Sequence, residues 1–498
     1  MIHMRSARPE DNPKLRFSDF FQLPPTTVEK HEAFDISLVA DLPLFIDPFL
    51  LFNSRKKRYQ ALHDQIVRYL RFLRGKSANQ ALDPGLVKAW YTFPEVRHNW
   101  LGFTFGANKG RGLGVNFARA LHRNLFALFP NFGKEQITKG SHLEKLCLIE
   151  KGVGRDNISD FTVNLVKEFL LTYTESFAKK YINRKLCTEF AVEKVRFNYE
   201  TETWEQGTFF LPSFQGEYVL LTPKDMLTND ETWINKSELI NDFHRIPDSI
   251  PNNALRAQIN NYFRSILPKE ARREDTQRAA IETILRFPQI IDYYIRQKEN
   301  EGDRAVSIST SKVQFSEQLY LRQFSRLAFL LATDTAFYQV SGNTYKEAMQ
   351  RVLFLKDVIE NKGGHKLFYV GGQPIQREQD IHIMYRLTWF ASPSDVSREV
   401  NDGRGPADFK ISRGSKNKSI VEFKLGSNPQ LRRNLQHQTD IYEKASNASR
   451  SIKVIIFFTK EEQARVTRIL EELKLTGRED IVLIDARMDN KPSGSRAA

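Results

Sequence analysis

Residues 406–425, PADFKISRGSKNKSIVEFKL, decide the fold of the C-terminal part of this chain. Two runs within this stretch alternate apolar with charged or polar residues, which is the pattern of half-buried β-strands. Between them, residues 413–417 read RGSKN, a composition typical of a turn. We therefore predict an antiparallel hairpin centred on Ser415, a register that places Asp408 opposite Glu422.

The alternation also assigns the side chains of this hairpin to two faces. Glu422 and Lys424 share one face of the second strand, and Asp408 and Lys410 share a face of the first. The apolar face of the second strand carries Val421, Phe423 and Leu425. The pattern therefore predicts that Asp408, Glu422 and Lys424 converge beside a hairpin that is backed by an apolar layer.

This convergence has a chemical consequence. Two carboxylates a few ångströms apart repel each other unless one is protonated or a cation bridges them. Mg²⁺ prefers oxygen ligands and keeps bound waters that are available for chemistry. A neighbouring lysine would hold or activate such a water and stabilise negative charge that develops on a phosphate. The alternative is an exposed strand with an Asp–Lys–Glu ladder of ion pairs.

PAD at 406–408 and EFK at 422–424 resemble the PD-(D/E)XK signature of restriction-endonuclease-like nucleases. In this chain Ala407 separates the proline from the aspartate. The resemblance implies phosphodiester hydrolysis that depends on Mg²⁺, which Mn²⁺ can replace. It implies that Lys424 acts on the attacking water. The metal ligands that it implies are Asp408, Glu422 and the carbonyl group of Phe423.

Residues on both sides of the hairpin extend the resemblance. We predict a short helix from Ser394 to Asn401, and its Glu399 resembles the additional acidic metal ligand of many family members. Gln438 and Tyr442 lie four residues apart on a predicted helix and therefore share a face. They are similar to the Q-xxx-Y element of RecB-type nucleases, whose side chains support the active site or contact DNA. A surface role for Gln438 stays open.

Positive charge surrounds the predicted site. From residue 410 to residue 433 there are seven basic residues and one acidic residue. Apart from the lysine of the signature, the candidate contacts to phosphates are Lys410, Arg413, Lys416, Lys418, Arg432 and Arg433. The whole chain has a net charge of +14, which favours polyanions such as DNA, RNA or anionic lipid as partners.

At 498 residues the chain is too long for one hydrophobic core. We predict an N-terminal α+β domain of unknown role (1–245), a helical domain or connector (246–374) and a nuclease domain (375–498). For the last we expect an α/β restriction-endonuclease-like fold, with a mixed central sheet flanked by helices. The remaining elements of this domain are predicted as strand 452–458, helix 461–473 and strand 481–485. The family implies an αβββαβ core, of which one strand has no clear sequence signal.

Two motifs precede the hairpin in the chain. The glycine-rich stretch 102–114 could bind phosphate, or it could form a turn-rich hairpin before a helix, because its spacing matches neither common nucleotide-binding pattern. Asp156, Asp160 and Asn164 share a face of a helix predicted within 152–181. They could bind a metal or a partner, but helix capping by Asp156, with Asp160 in the first turn, is the favoured interpretation.

Composition narrows the function classes. The two cysteines, Cys147 and Cys187, form no zinc-binding pattern, and no apolar run is long enough to span a bilayer. We expect a cytoplasmic chain without a membrane partner, and a homo-oligomer or partner protein could form through the N-terminal region. The expected function is an endonuclease acting on DNA, by analogy in restriction or antiviral (anti-phage) defence. The alternatives are a nuclease for RNA and a non-catalytic nucleic-acid-binding or assembly module that keeps the fold.

Overall fold

The structure is a computed structural model, and it describes most of the chain from Lys14 to Lys491. The described ranges are 14–39, 41–78, 83–102, 113–114, 117–119, 121–122, 125, 132–149, 154–229, 231–339, 343–387, 389, 395–397, 409–413, 417–436 and 451–491. The fold is mixed α/β.

The α-helices are distributed along the whole length of the chain. They are Phe17–Phe20, Pro25–Lys30, Pro48–Phe52, Lys57–Ser77, Pro84–Tyr91, Lys145–Ile149, Arg155–Leu165, Lys167–Tyr181, Lys236–Asn241, Asn253–Ile266, Arg273–Arg286, Gln289–Asn300, Gly302–Ser316, Phe324–Asp334, Thr344–Asn361, Glu378–Leu387 and Lys460–Glu472. Residues 431–436 form a further helical segment. Short 3₁₀ turns are Arg97–Asn99, Arg184–Leu186, Lys224–Met226, Phe243–Arg245, Pro247–Ser249, Phe337–Gln339 and Gly364–Phe368.

The strands form one five-stranded sheet and three smaller sheets. They are β1 (Leu44–Ile46), β2 (Cys187–Asn198), β3 (Thr203–Phe214), β4 (Glu217–Tyr218), β5 (Leu227–Asn229), β6 (Tyr369–Val370), β7 (Gln373–Pro374), β8 (Asp395–Ser397), β9 (Phe409–Arg413), β10 (Asn417–Leu425), β11 (Ser451–Phe457) and β12 (Ile481–Asp485). The small sheets pair β1 with β5, β2 with β3 and β4, and β6 with β7.

The N-terminal part packs its helices through apolar stripes. The long helix Lys57–Ser77 carries apolar residues at helical spacing and buries Tyr59, Ile66 and Leu73 on one side. The helical pattern at 152–181 forms two helices rather than one, because the backbone leaves helical geometry at Val166 (φ −101°, ψ 13°). Strands β2 and β3 pair antiparallel beside these helices, with an irregular register after Val192.

The middle of the chain is helical, as its sequence pattern predicts. One continuous helix runs from Gly302 to Asp334, but its central section, Glu317–Gln323, is a π-helix. We call this section the π segment. Further along, Gly371 and Gly372 have φ of +59° and +77° and form the tight turn between β6 and β7. Both glycines are needed there because other residues rarely adopt this backbone conformation.

The five-stranded sheet near the C-terminus has the order β12-β11-β10-β9-β8. Strands β10, β11 and β12 are parallel, while β9 is antiparallel to both of its neighbours. On one face, the helices Thr344–Asn361 and Glu378–Leu387 pack against the apolar side of β10. On the other face, Leu431 and Leu435 join residues of the helix Lys460–Glu472 and Ile455 of β11 in a second apolar cluster. The sheet is therefore the middle layer of three.

One sequence-based prediction in this region is wrong. Residues 395–397, expected in the helix that carries Glu399, form strand β8 and pair with β9, with Val396 opposite Ile411. The sequence Ser-Pro-Ser-Asp at 392–395 is typical of a helix start, but pairing with the edge of the sheet outweighs that local preference. The helix that precedes the hairpin is Glu378–Leu387 instead. Glu399 itself lies outside the described residues.

Candidate active site

The hairpin at the centre of the sheet has the predicted register. Arg413 pairs with Asn417, Ile411 with Ser419, and Lys410 with Ile420, which centres the turn on position 415 as expected. The last described pair is Val421 with Phe409. Continued by one residue, the same register would pair Glu422 with position 408. The hairpin prediction is therefore confirmed over the described pairs.

Part of the predicted site lies outside the described residues, namely Glu399, Asp408, Lys416, Gln438 and Tyr442. The backbones of Lys410, Arg413 and Lys418 belong to β9 and β10, but their side chains also fall outside what the structure describes. Of the predicted site, the described side chains are therefore Glu422, Phe423, Lys424, Arg432 and Arg433.

The two faces of β10 differ as predicted. Val421 and Phe423 are fully buried in the apolar core. On the opposite face, Glu422 is only 1% exposed, and the Lys424 side chain is 13% exposed. An exposed ladder of ion pairs requires Glu422 to be in water, so this burial contradicts that alternative. Burying a carboxylate is costly unless other groups compensate its charge.

Lys453 on β11 provides positive charge beside Glu422. The two residues are register partners on neighbouring parallel strands, so their side chains leave the sheet on the same face. Lys453 is also buried, at 5% exposure. The sequence analysis did not single out this lysine, because the register between two parallel strands depends on a long connection and not on a local turn.

Glu378 is the second functional candidate that the sequence analysis missed. It is the first residue of the helix Glu378–Leu387, and its Oε2 lies 3.5 Å from Nζ of Lys424. Its Oε1 accepts hydrogen bonds from the backbone N–H of Leu425 (3.1 Å) and from Nδ2 of Asn428 (2.6 Å). One carboxylate thus holds both the lysine and the turn that follows β10. The sequence signal that could have identified Glu378 is an acidic residue at the start of a helix.

The turn after β10 is held from the opposite side as well. Arg465 donates hydrogen bonds to the carbonyl oxygens of Gly426 (2.6 Å) and Asn428 (2.7 Å). A side chain at Gly426 would meet Cβ of Phe457 at 2.9 Å, so only glycine fits this close approach. The end of β10, and with it Lys424, is therefore fixed by two charged side chains from two different helices.

The carbonyl group of Phe423 lies close to a histidine. Nε2 of His382, in the helix Glu378–Leu387, is 3.3 Å from the carbonyl oxygen. Tyr385, one helical turn further along, packs its ring 4.5 Å from the ring of Phe423, and burial raises the pKa of this tyrosine. The helix that carries Glu378 is therefore attached to β10 at three successive levels.

Two family models match the chain. Residues 22–235 match a domain of unknown function (DUF8370), and residues 344–460 match a second domain of unknown function (DUF8371). No curated protein and no solved structure matches the chain. The second matching segment begins with the helix Thr344–Asn361 and extends through β11. It includes Glu378, Glu422, Lys424 and Lys453, whereas Arg465 lies beyond its end.

Among the described residues, no group of three or more His, Cys, Asp or Glu side chains is arranged to hold a metal ion. Of the predicted metal ligands, the described ones are the carboxylate of Glu422 and the carbonyl group of Phe423, and both are ligand types that Mg²⁺ accepts. Beyond the site, Arg432 and Arg433 are exposed, and Arg432 forms an ion pair with Glu472. None of the described helices is both long and apolar enough to cross a membrane.

The two N-terminal motifs have different outcomes. Residues 103–112 of the glycine-rich stretch lie outside the described residues. The helix that contains Asp156 begins at Arg155, and its cap is Gly154, whose N–H donates to Oδ1 of Asn157 (3.0 Å). Asp156 is therefore in the first turn and not the cap. Burial, together with the charges of Glu95 and Asp156, raises the pKa of Asp160 to about 7.

Proposed function

We propose that the chain is a metal-dependent nuclease that hydrolyses phosphodiester bonds, with DNA as its expected substrate. The observation that carries the proposal is Glu422, a carboxylate buried on the same face of β10 as Lys424. A buried carboxylate beside lysines is expensive as a purely structural feature. Such groups are more often found at sites where their chemistry is used.

The arrangement of elements also supports the restriction-endonuclease-like fold. A helix, Glu378–Leu387, precedes three antiparallel strands, β8 to β10, and a helical segment then leads to the parallel strand β11. This order agrees with the αβββαβ core that the signature implies. In the proposed fold, β8 would be the strand that has no clear sequence signal.

The proposed roles follow from the positions of the side chains. Glu422, with Asp408 and the Phe423 carbonyl group, would hold Mg²⁺, which when bound would supply an activated water and neutralise charge on the phosphate. Lys424 orients the attacking water and stabilises the negative charge that develops on the phosphate. Lys453 offsets the charge of Glu422, and Glu378 holds Lys424 in place.

The experiment is a cleavage assay with the chain of 498 residues. Supercoiled plasmid, linear duplex DNA and RNA of matching sequence are incubated with Mg²⁺, with Mn²⁺ or with EDTA. We expect cleavage of DNA with either metal and none with EDTA. Glu422→Gln, which keeps the shape of the side chain but removes a charged ligand, should abolish cleavage.

The matched control is Glu471→Gln, which removes an exposed carboxylate from the helix Lys460–Glu472. This variant should cut at the parental rate. Cleavage of RNA alone would favour the RNA-directed alternative, and binding of nucleic acid without any cleavage would favour the non-catalytic one. Undiminished cleavage by Glu422→Gln would contradict the proposed site. A role in restriction or antiviral defence is part of the proposal by analogy.

A further inference from the structure

The π segment, Glu317–Gln323, interrupts a helix that otherwise runs from Gly302 to Asp334. π-Helical hydrogen bonds join residues five apart instead of four, so the side chains of such a segment are displaced from the directions of an α-helix. These segments are rare and frequently lie at functional sites.

Three side chains of the π segment fix it to three separate parts of the fold. Glu317 forms an ion pair with Lys224 (2.9 Å), and Nε2 of Gln323 donates to the carbonyl oxygen of Tyr369 (2.7 Å). Between them, the hydroxyl of Tyr320 donates to Oδ1 of Asp380 at 2.6 Å. The segment is thus held at both ends, and its central tyrosine contacts the helix Glu378–Leu387.

The contact between Tyr320 and Asp380 is buried, since both residues are 1% exposed. Asp380 also accepts from Arg377, whose Nη2 is 2.7 Å from Oδ1 and whose Nε is 3.1 Å from Oδ2. A hydrogen bond to a charged acceptor inside a protein is stronger than one between neutral groups. Tyr320 therefore holds the first turn of this helix with a strong and well-oriented bond.

That first turn is the one that contacts the candidate active site. Glu378 lies two residues before Asp380, and it holds Lys424 and the backbone N–H of Leu425. The hydroxyl of Tyr320 and the amine of Lys424 are therefore connected through the beginning of a single helix. A shift of this turn by about 1 Å is enough to misplace a reacting group, with a cost in rate of up to about 10²-fold.

We propose that Tyr320 is a positioning residue of the nuclease site, which keeps Glu378 against Lys424 by holding the first turn of the helix Glu378–Leu387. This inference rests on the proposed function for its effect on cleavage. The positioning itself does not depend on that function, because Glu378 and Lys424 are in contact whatever the site does. Two kinds of measurement can therefore test it separately.

The variant is Tyr320→Phe, which removes the hydroxyl and keeps the buried ring, while Arg377 still satisfies Asp380. Its control is Tyr294→Phe, which removes another buried hydroxyl, one that donates to the carbonyl oxygen of Asn235 (3.0 Å). The control makes the same chemical change at a hydroxyl that is bonded to Asn235 and not to the helix that carries Glu378. Both proteins are the full chain, and both are compared with the parent.

The first measurement is hydrogen–deuterium exchange, which needs no activity. Tyr320→Phe should exchange about tenfold faster than the parent in peptides that cover 378–387 and 423–428, while Tyr294→Phe should match the parent there. Unchanged exchange in both regions would overturn the inference, whether or not the chain cuts nucleic acid. Equal acceleration in both variants would also overturn it, because the effect would then be general loss of stability.

The second measurement is cleavage of plasmid DNA with Mg²⁺. Tyr320→Phe should lower kcat about tenfold and leave KM unchanged, because substrate contacts remain. A parental kcat would overturn the inference. Absence of cleavage by the parent itself would instead refute the proposed function, and the exchange experiment would still decide the positioning.

Discussion

Replacement of Lys424 by methionine separates a catalytic lysine from a structural one. Methionine has a similar length and lacks the charge. Nζ of Lys424 is 3.5 Å from Oε2 of Glu378, and the two side chains are 13% and 23% exposed. This pair lies between an exposed ion pair, worth less than about 1 kcal/mol, and a buried pair, whose disruption costs about 3–5 kcal/mol. We therefore expect Lys424→Met to lose about 1–3 kcal/mol of stability.

Glu378→Gln provides the comparison, because it removes the other half of the same ion pair and keeps the lysine. The two variants and their double mutant form a double-mutant cycle. The loss of stability in the double mutant should differ from the sum of the losses in the two single variants. Cleavage should separate them. If Lys424 acts on the attacking water, Lys424→Met should cut about 10²-fold more slowly or worse, which corresponds to about 2.7 kcal/mol of activation free energy. Glu378→Gln keeps the lysine but removes the carboxylate that positions it, so this variant should cut about tenfold more slowly than the parent.

Calorimetric titration with Mg²⁺ completes the test. Metal affinity should persist or increase in Lys424→Met, because a nearby positive charge opposes binding of a divalent cation. Asp408→Ala, by contrast, should lose both metal affinity and cleavage, because it removes a proposed ligand. A folded Lys424→Met protein that cuts at the parental rate would refute the assignment of the active site.

Three further predictions concern other parts of the chain. Replacing both Arg432 and Arg433 with alanine should reduce the slope of log Kd against log salt concentration by about one for each phosphate that these arginines neutralise. The slope is measured by fluorescence anisotropy in EDTA, and an unchanged slope would mean that nucleic acid binds to another surface. Burial raises the pKa of Asp47 to about 6 and the pKa of Glu144 well above its usual range. The folded protein therefore keeps protons that the unfolded chain releases above about pH 4, and the free energy of unfolding falls as the pH rises through these pKa values. Glu144→Gln should therefore raise the melting temperature at pH 8 more than at pH 5, and equal shifts would contradict this explanation. A fragment that begins at residue 343 should melt higher than one that begins at residue 375, because only the longer one contains the helix Thr344–Asn361, which packs on the sheet. Equal melting temperatures would show that this helix adds no stability.

The sequence predicted most of the C-terminal sheet correctly where local signals act. The register of β9 and β10 follows from a short turn of recognisable composition, and the faces of β10 follow from the alternation that puts Val421 and Phe423 in the core. Strands β11 and β12, which are mostly apolar, begin and end within one residue of their expected bounds. The signature residues gave the chemical hypothesis, and the burial of Glu422 agrees with it better than with an exposed ladder.

Only the tertiary structure decided which residues lie beside Glu422 and Lys424. Glu378 and Lys453 come from segments far from the signature in the chain, and they approach it because the sheet order and helix packing bring them there. Strand β8 contradicted a helix signal because pairing along a sheet edge is stronger than a local cap. The π segment and its Tyr320 contact have no sequence period that could reveal them. Local patterns determine how a segment folds, whereas the choice of distant partners depends on packing that no short stretch of sequence contains.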